Sequence, residues 1–211
     1  MDNKCLIISG GEYSPLPEDI KNPGLVLACD RGWKYAEKMG ITPDLVIGDF
    51  DSSPLPPPKF RVLRVPSEKD DTDTMLAVKE AFRRGFTDIS IACAFGGRLD
   101  HAFANIQGGA YIAARSGTAR LYGKNEQGII FSNSEVVLPR ADGWSLSVFS
   151  LSDRSTGVCI RGSKYDCENA VFTGTFPLGA SNFWTGDAVT VSVESGIIFV
   201  LKSKLQAGEH I

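Results

Sequence analysis

Residues 88–115 read DISIACAFGGRLDHAFANIQGGAYIAAR. The opening part, Asp88–Ala94, is a short apolar run rich in β-branched residues, which predicts a buried strand. Two glycines follow. Ala102–Arg115 then places Phe103, Ile106, Ala110 and Ala113 on one helical face. Strand, tight turn and helix in that order make half of a βαβ unit.

The same alternation recurs upstream. Strands are predicted over Cys5–Ser9, Leu25–Cys29, Leu45–Gly48 and Arg61–Val65, with Ala119–Tyr122 downstream. Arg31–Met39 pairs Trp33 with Ala36 and Tyr35 with Met39 at helical spacing, and Gly40 is a natural stop. Asp73–Arg84 sets Met75, Val78 and Phe82 on one face before Gly85. Pro54 and Pro56–Pro58 predict an extended surface loop. Residues 1–124 therefore predict an α/β domain, a mostly parallel αβα sheet. From residue 125 the texture changes. Gly128–Phe131, Val136–Leu138, Ser145–Ser150, Val158–Arg161, Ala188–Val193 and Ile197–Lys202 are β-rich runs, with no helical pattern among them. Residues 125–211 predict a second, antiparallel sandwich or barrel.

The chain has 211 residues, enough to bury a core without metal or disulfide staples. Lys plus Arg is 22 and Asp plus Glu is 25, a net charge of −3 that argues against a nucleic-acid partner. No apolar stretch approaches the roughly 20 residues of a membrane span, and Cys5–Ile8 is too short for a secretory signal. The five cysteines, at 5, 29, 93, 159 and 167, form no C-x-x-C pair. They predict reduced thiols and a cytoplasmic protein. With only His101 and His210, a His-rich metal site is excluded.

Acidic residues gather where strands end. Gly48-Asp49-Phe50-Asp51-Ser52 follows a strand and holds two carboxylates in a tight turn. Ser67-Glu68-Lys69-Asp70-Asp71-Thr72-Asp73 follows the next strand and enters a helix. Helix capping explains one or two of those carboxylates, not four. Convergence of the rest calls for a cation, and oxygen-only ligands suit Mg²⁺. Gly96-Gly97-Arg98-Leu99-Asp100-His101 adds a close-approach backbone, a forked cation for phosphate and a helix N-terminus. Asp100 serves there as metal ligand or cap, and His101 as cap, substrate contact or proton carrier. Asn105 lies one turn on. Gly108 and Gly109 inside this helix suggest close helix packing. No Walker A or G-x-G-x-x-G loop occurs. Carboxylates, metal, Lys69, Arg98 and a helix N-terminus make a phosphate-transfer site.

In this order and spacing, Gly-Asp-Phe-Asp-Ser, Glu-Lys-Asp-x-Thr-Asp and Gly-Gly-Arg-Leu-Asp-His resemble the thiamine pyrophosphokinase family. Gly179-Ala180-Ser181-Asn182 resembles that family's Ser-Asn motif. The resemblance runs from Asp30 to about Lys202. It implies an α/β catalytic domain (1–124) that binds ATP and Mg²⁺, and a β-sandwich thiamine-binding domain (125–211). It implies a homodimer with an active site shared between subunits. The implied reaction transfers the pyrophosphoryl group of ATP to the thiamine hydroxyl, giving thiamine diphosphate and AMP. Metal ligands would fall on Asp71, Asp73 and Asp100. ATP contacts would fall on Asp30, Asp49, Lys69, Asp71, Thr72, Asp73 and Arg98. Asp49, Asp51, Lys69, Arg98 and Asp100 would serve catalysis. Thiamine would meet Asp100, His101, Asn105, Ser181, Asn182 and Phe199. Phe199 stands where some relatives stack the ring on Trp, and a Phe stacks a cationic ring more weakly. The rival readings are another Mg²⁺-dependent phosphotransferase or nucleotidyltransferase, a metal-dependent phosphohydrolase, and a non-enzymatic nucleotide or thiamine sensor.

Overall fold

The computed structural model describes residues 3–18, 20, 22–51 and 54–206. Ser52 of the first acidic turn and His210 lie outside the described residues. The chain divides into two compact units, Met1–Ile112 with Gly117–Lys124, and Ala113–Ser116 with Asn125–Ile211.

The first unit carries β1 (Lys4–Ile8), β2 (Leu25–Cys29), α1 (Gly32–Lys38), β3 (Leu45–Gly48), β4 (Val62–Arg64), α2 (Asp73–Arg83), β5 (Asp88–Ala92), α3 (Leu99–Ala113) and β6 (Thr118–Tyr122). Within it the strands lie in the order β6-β5-β1-β2-β3-β4, and every neighbouring pair is parallel. β1, β2 and β3 are buried almost throughout, as the two-faced burial of a parallel sheet requires. Leu6, Ile8, Val26, Ala28 and Val46 point to one face and pack with Trp33 and Ala36 of α1. On the opposite face the Ser9 hydroxyl meets that of Thr74 in α2 at 3.0 Å. Helices therefore cover both faces. α3 begins at Leu99, three residues before the expected Ala102, so Arg98 stands at its entry.

Strand order reverses between β1 and β5. The connection after β1 leads one way, to β2, and β5 returns on the other side. In open parallel sheets such a switch point opens a crevice at the carboxyl ends of the strands.

The second unit has two layers of four antiparallel strands each, and no helix occurs among its described residues from 125 onward. One layer runs β12-β9-β14-β7, from Gly179–Asn182, Trp144–Ser150, Ile197–Lys204 and Glu126–Ser132. The other runs β11-β10-β13-β8, from Cys167–Thr173, Arg154–Arg161, Ala188–Ser192 and Glu135–Pro139. Leu146, Val148, Ile198 and Val200 meet Val158, Ile160, Val189 and Val191 between the sheets. Alternating inward residues of both sheets make a sandwich core, so the sandwich, not the barrel, is what forms.

Candidate active site

A cleft of about 490 Å³ opens at the switch point. Ser9, Gly10 and Gly11 line it from the turn after β1, and Cys29, Asp30 and Arg31 from the turn after β2. Asp49 enters after β3, Ser67, Lys69 and Asp71 to Thr74 after β4, and Ala94 and Gly96 after β5. Arg98, His101, Ala104 and Asn105 complete it. The three motifs picked out in the sequence thus share one crevice.

The turns are held in unusual backbone. Asp30, Phe50 and Cys93 follow three different strands and all have positive φ, between 45° and 61°. Left-handed non-glycine residues cost energy and gather where a site over-determines the chain. Gly11 is required by close approach, since a Cβ there would collide with the Cys93 carbonyl and stand 2.6 Å from that of Phe95.

Lys69 is the centre of charge. Its ammonium lies 3.0 Å from Asp73 and 3.2 Å from Asp49, linking two of the acidic turns. Burial alone pulls the Lys69 pKa down, but hydrogen bonds to Asp73 and Asp49 reverse this and leave it raised. The backbone N–H of Asp51 donates to Asp49 and, with Lys69, holds that carboxyl below its usual value. Asp73 goes the other way. Burial pushes its carboxyl up, and Lys69 offsets only part of the effect. The buried Oδ1 of Asp73 is the atom that faces the Lys69 ammonium.

Other residues stand apart from this centre. Asp71 reaches the cleft but is gripped through both oxygens by Lys79, at 2.6 and 2.8 Å. Thr72 caps α2, its hydroxyl accepting from the Met75 N–H at 3.1 Å. Arg98 lines the cleft yet forks onto Asp100, and the Asp100 carboxylate itself is exposed and outside the lining. Asp51 is also exposed and outside it. Among the described residues no three acidic, His or Cys side chains stand together as a ready cation cage. The expected trio of Asp71, Asp73 and Asp100 is therefore not assembled in this arrangement. Asn105 is buried and donates to the Ala94 carbonyl at 2.7 Å, tying α3 to the segment after β5. His101 is exposed on the first turn of α3.

The second unit holds the remaining candidates. Ser181 is exposed with φ 59°, and its N–H donates to the Ser147 hydroxyl. Asn182 is 2% exposed, and its amide is fully occupied by protein partners. Phe199 is buried too and packs against Phe149, ring centres 6.3 Å apart. Within this unit neither Asn182 nor Phe199 presents a free face, a departure from the contact roles expected of them.

Sequence reasoning gave no ligand role to Ser9-Gly10-Gly11, Cys29, Arg31, Ser67 or Thr74, which also line the cleft. A glycine pair directly after the first strand, like Gly96-Gly97 after a later one, was the available signal. Burial and the Asp73 carboxylate raise the Cys29 thiol well above its ordinary value, so it lines the cleft as an inert, protonated group.

The family model described as Thiamin pyrophosphokinase, catalytic domain, matches residues 17–122, about half of the chain. The chain belongs to the thiamin pyrophosphokinase family. A second model, Thiamin pyrophosphokinase, vitamin B1 binding domain, matches residues 134–198. The thiamine pyrophosphokinase of Bacillus subtilis is 25% identical over 96% of this chain and 100% of its own, with a TM-score of 0.84. A thiamin pyrophosphokinase family protein of Enterococcus faecalis is 26% identical over 96% and 100%, with a TM-score of 0.74. The thiamin pyrophosphokinase of Candida albicans shares the fold at 15% identity over 95% and 89%, with a TM-score of 0.71. No curated protein matches the chain by sequence. The mixed parallel and antiparallel architecture is thus that of thiamin pyrophosphokinases.

Proposed function

We propose that this thiamine pyrophosphokinase takes the pyrophosphoryl group from ATP in a Mg²⁺-dependent reaction, the first unit binding the nucleotide and the second contributing to thiamine recognition. The observation that carries the site assignment is the single cleft in which Lys69 links Asp49 and Asp73 below the entry to α2.

The donor set suits Mg²⁺. It is all oxygen, and Asp73 and Asp49, carboxylates from two different turns, already share one cation in the Lys69 ammonium. Asp49 and Asp73 would hold it, and Asp71 would join them by exchanging its Lys79 contact for the metal, with phosphates and water completing the shell. When bound, the metal supplies charge neutralisation for the polyphosphate. The protein supplies the rest. Ser9, Gly10 and Gly11 bring backbone close to the phosphates, and the N-termini of α2 and α3 face the same crevice. Lys69 and Arg98 offset charge that builds on the transferring group. The thiamine hydroxyl oxygen bonds to the β-phosphorus, the bond from that phosphorus to the α-phosphate oxygen breaks, and AMP departs. The alcohol proton leaves late, to a cleft carboxylate. In a loose transition state, positioning and electrostatics matter more than a strong base. Asp100 keeps Arg98 oriented, and Asp30 and Thr72 border the nucleotide. His101 and Asn105 line the same cleft, on the side of α3.

A homodimer and a cytoplasmic setting belong to the same reading. The second unit exposes Phe176, Leu178, Val171 and Val137, apolar surface that a second copy would cover. No described helix is long and apolar enough to cross a membrane.

The test is a product assay with ATP, Mg²⁺ and thiamine, read by mass spectrometry. AMP and thiamine diphosphate in equal amounts, abolished by EDTA, are expected. ADP with thiamine monophosphate would mean ordinary phosphoryl transfer, and ATP loss without thiamine would mean a hydrolase.

A further inference from the structure

Asn182 ends a chain of hydrogen bonds that begins at an exposed carboxylate. Asp166 accepts from the Gly162 N–H at 3.2 Å, the Ser163 N–H at 2.8 Å and the Ser163 hydroxyl at 2.8 Å. The Ser163 oxygen in turn accepts from the Asn182 amide nitrogen at 3.0 Å. That nitrogen also donates to the Tyr165 carbonyl at 2.9 Å. The Asn182 amide oxygen accepts from the N–H groups of Tyr165, at 3.0 Å, and Phe183, at 2.9 Å. Both hydrogens of the amide and both lone pairs of its oxygen are spent inside the protein. The Lys164 N–H donates to the Phe183 carbonyl, and the Thr185 N–H to that of Gly162, so loop 162–166 is stitched to 182–185 from both sides.

Ser181 is the residue this knot leaves outside. It is exposed, it sits in the left-handed region, and it directly precedes the buried Asn182. A serine at positive φ is strained, and it persists only where the surroundings over-determine it. Burying an amide with four satisfied hydrogen bonds is the means of doing so. An Asn holding one backbone conformation also accounts for its burial, which a ligand contact does not.

We infer that Asn182, Ser163 and Asp166 are positioning residues that fix the Ser181 hydroxyl for thiamine, rather than substrate contacts themselves. This rests on the reading that Ser181 meets thiamine. The charge on Asp166 matters because three donors converge on it, and a carboxylate accepts them more strongly than a neutral group. Those donors also keep its carboxyl below the ordinary range.

The experiment measures kcat, KM for thiamine, KM for ATP and Tm in Ser181→Ala, Ser163→Ala, Ser163→Thr and Asp166→Asn. Ser181→Ala is expected to raise the thiamine KM about 10-fold, the loss of one well-made hydrogen bond. Ser163→Ala and Asp166→Asn should raise it by a similar factor with ATP KM unchanged, and Ser163→Thr, which keeps the hydroxyl, should restore it. Lowered Tm with a wild-type thiamine KM in both knot variants would make the knot scaffolding alone and overturn the inference. An unchanged thiamine KM in Ser181→Ala would instead overturn the underlying reading, and the inference with it. Should Asp166→Asn fail to fold, the Ser163→Ala and Ser163→Thr pair decides the matter.

Discussion

The Lys69 ammonium lies 3.0 Å from the Asp73 carboxylate, four residues on, and neither side chain is more than 17% exposed. The lysine precedes the helix and the aspartate opens it, so the pair closes across the entry of α2 and faces the cleft. Lys69 also reaches Asp49, from a different strand. One cation therefore holds together two carboxylates that would otherwise repel.

Lys69→Met should accordingly do two things. It leaves a part-buried Asp73 unpaired, which costs about 1–3 kcal/mol of stability. It also removes a positive charge from the phosphate path, which should lower kcat by at least about 100-fold. Steady-state kinetics on folded protein, checked by circular dichroism, separates the two. Near-normal kcat in a folded variant would take Lys69 out of the reaction.

Asp73→Asn should separate stability from activity. The folded protein raises the Asp73 pKa above its unfolded value, because burial outweighs Lys69. A raised carboxyl pKa means the fold favours the protonated form. Stability from this group is full below the unfolded pKa near 3.8 and is lost as pH rises through the folded value. Asn cannot ionise and escapes that loss. At neutral pH the Tm of Asp73→Asn should equal or exceed wild type, while turnover falls at least about 100-fold. Paired melting curves from about pH 3 to about pH 8 should coincide at the acid end and diverge upward for the variant. A lower Tm for the variant at neutral pH would mean that Asp73 is a structural anion.

Much of this was legible in the residues. Ile7, Leu27 and Ile47 sit in unbroken apolar runs, which only a strand buried on both faces explains, and the three acidic or glycine turns follow such runs directly. What stayed hidden depended on side-chain geometry between distant residues. Nothing in the spacing of Asp71 and Lys79 shows that the lysine takes both carboxylate oxygens. The fork of Arg98 onto Asp100 was equally invisible. β11 and β12 were missed because CENAVFT fully buries only Phe172 and shows no clean alternation, and GASN has too few apolar residues to show a period. The direction of the Asn182 amide was hidden too, because a motif names a residue without saying which way its side chain points.

Glu80 gives a pH signature away from the cleft. Hydrogen bonds from Arg83, then Arg84, overcome burial and pull its carboxyl from 4.5 to about 2. A depressed carboxyl pKa contributes stability above the unfolded pKa and loses it as pH falls through the folded one. Glu80→Gln should therefore lower stability at neutral pH by roughly 1 kcal/mol, the upper end for ion pairs that water reaches. The gap to wild type should close between pH 4.5 and about 2. Denaturant melts at three pH values test this, and a gap independent of pH would assign the effect to packing.

Gly108 overturns the packing explanation suggested by its place in a helix. A Cβ built there meets nothing within 4 Å outside its own helix backbone. Its φ is not positive, so the backbone suits any residue. Glycine in a helix interior costs about 1 kcal/mol relative to alanine, mostly through the freedom it has when unfolded. With open space and helical backbone, Gly108→Ala should stabilise the protein by about 0.5–1 kcal/mol, seen as a raised Tm. Gly11→Ala is the matched contrast. Its Cβ would drive into the Cys93 and Phe95 carbonyls, so it should destabilise by about 1–3 kcal/mol and weaken ATP binding at the same time. A lowered Tm for Gly108→Ala would restore close packing against α3, and a neutral Gly11→Ala would show that the turn after β1 yields where the cleft needs it rigid.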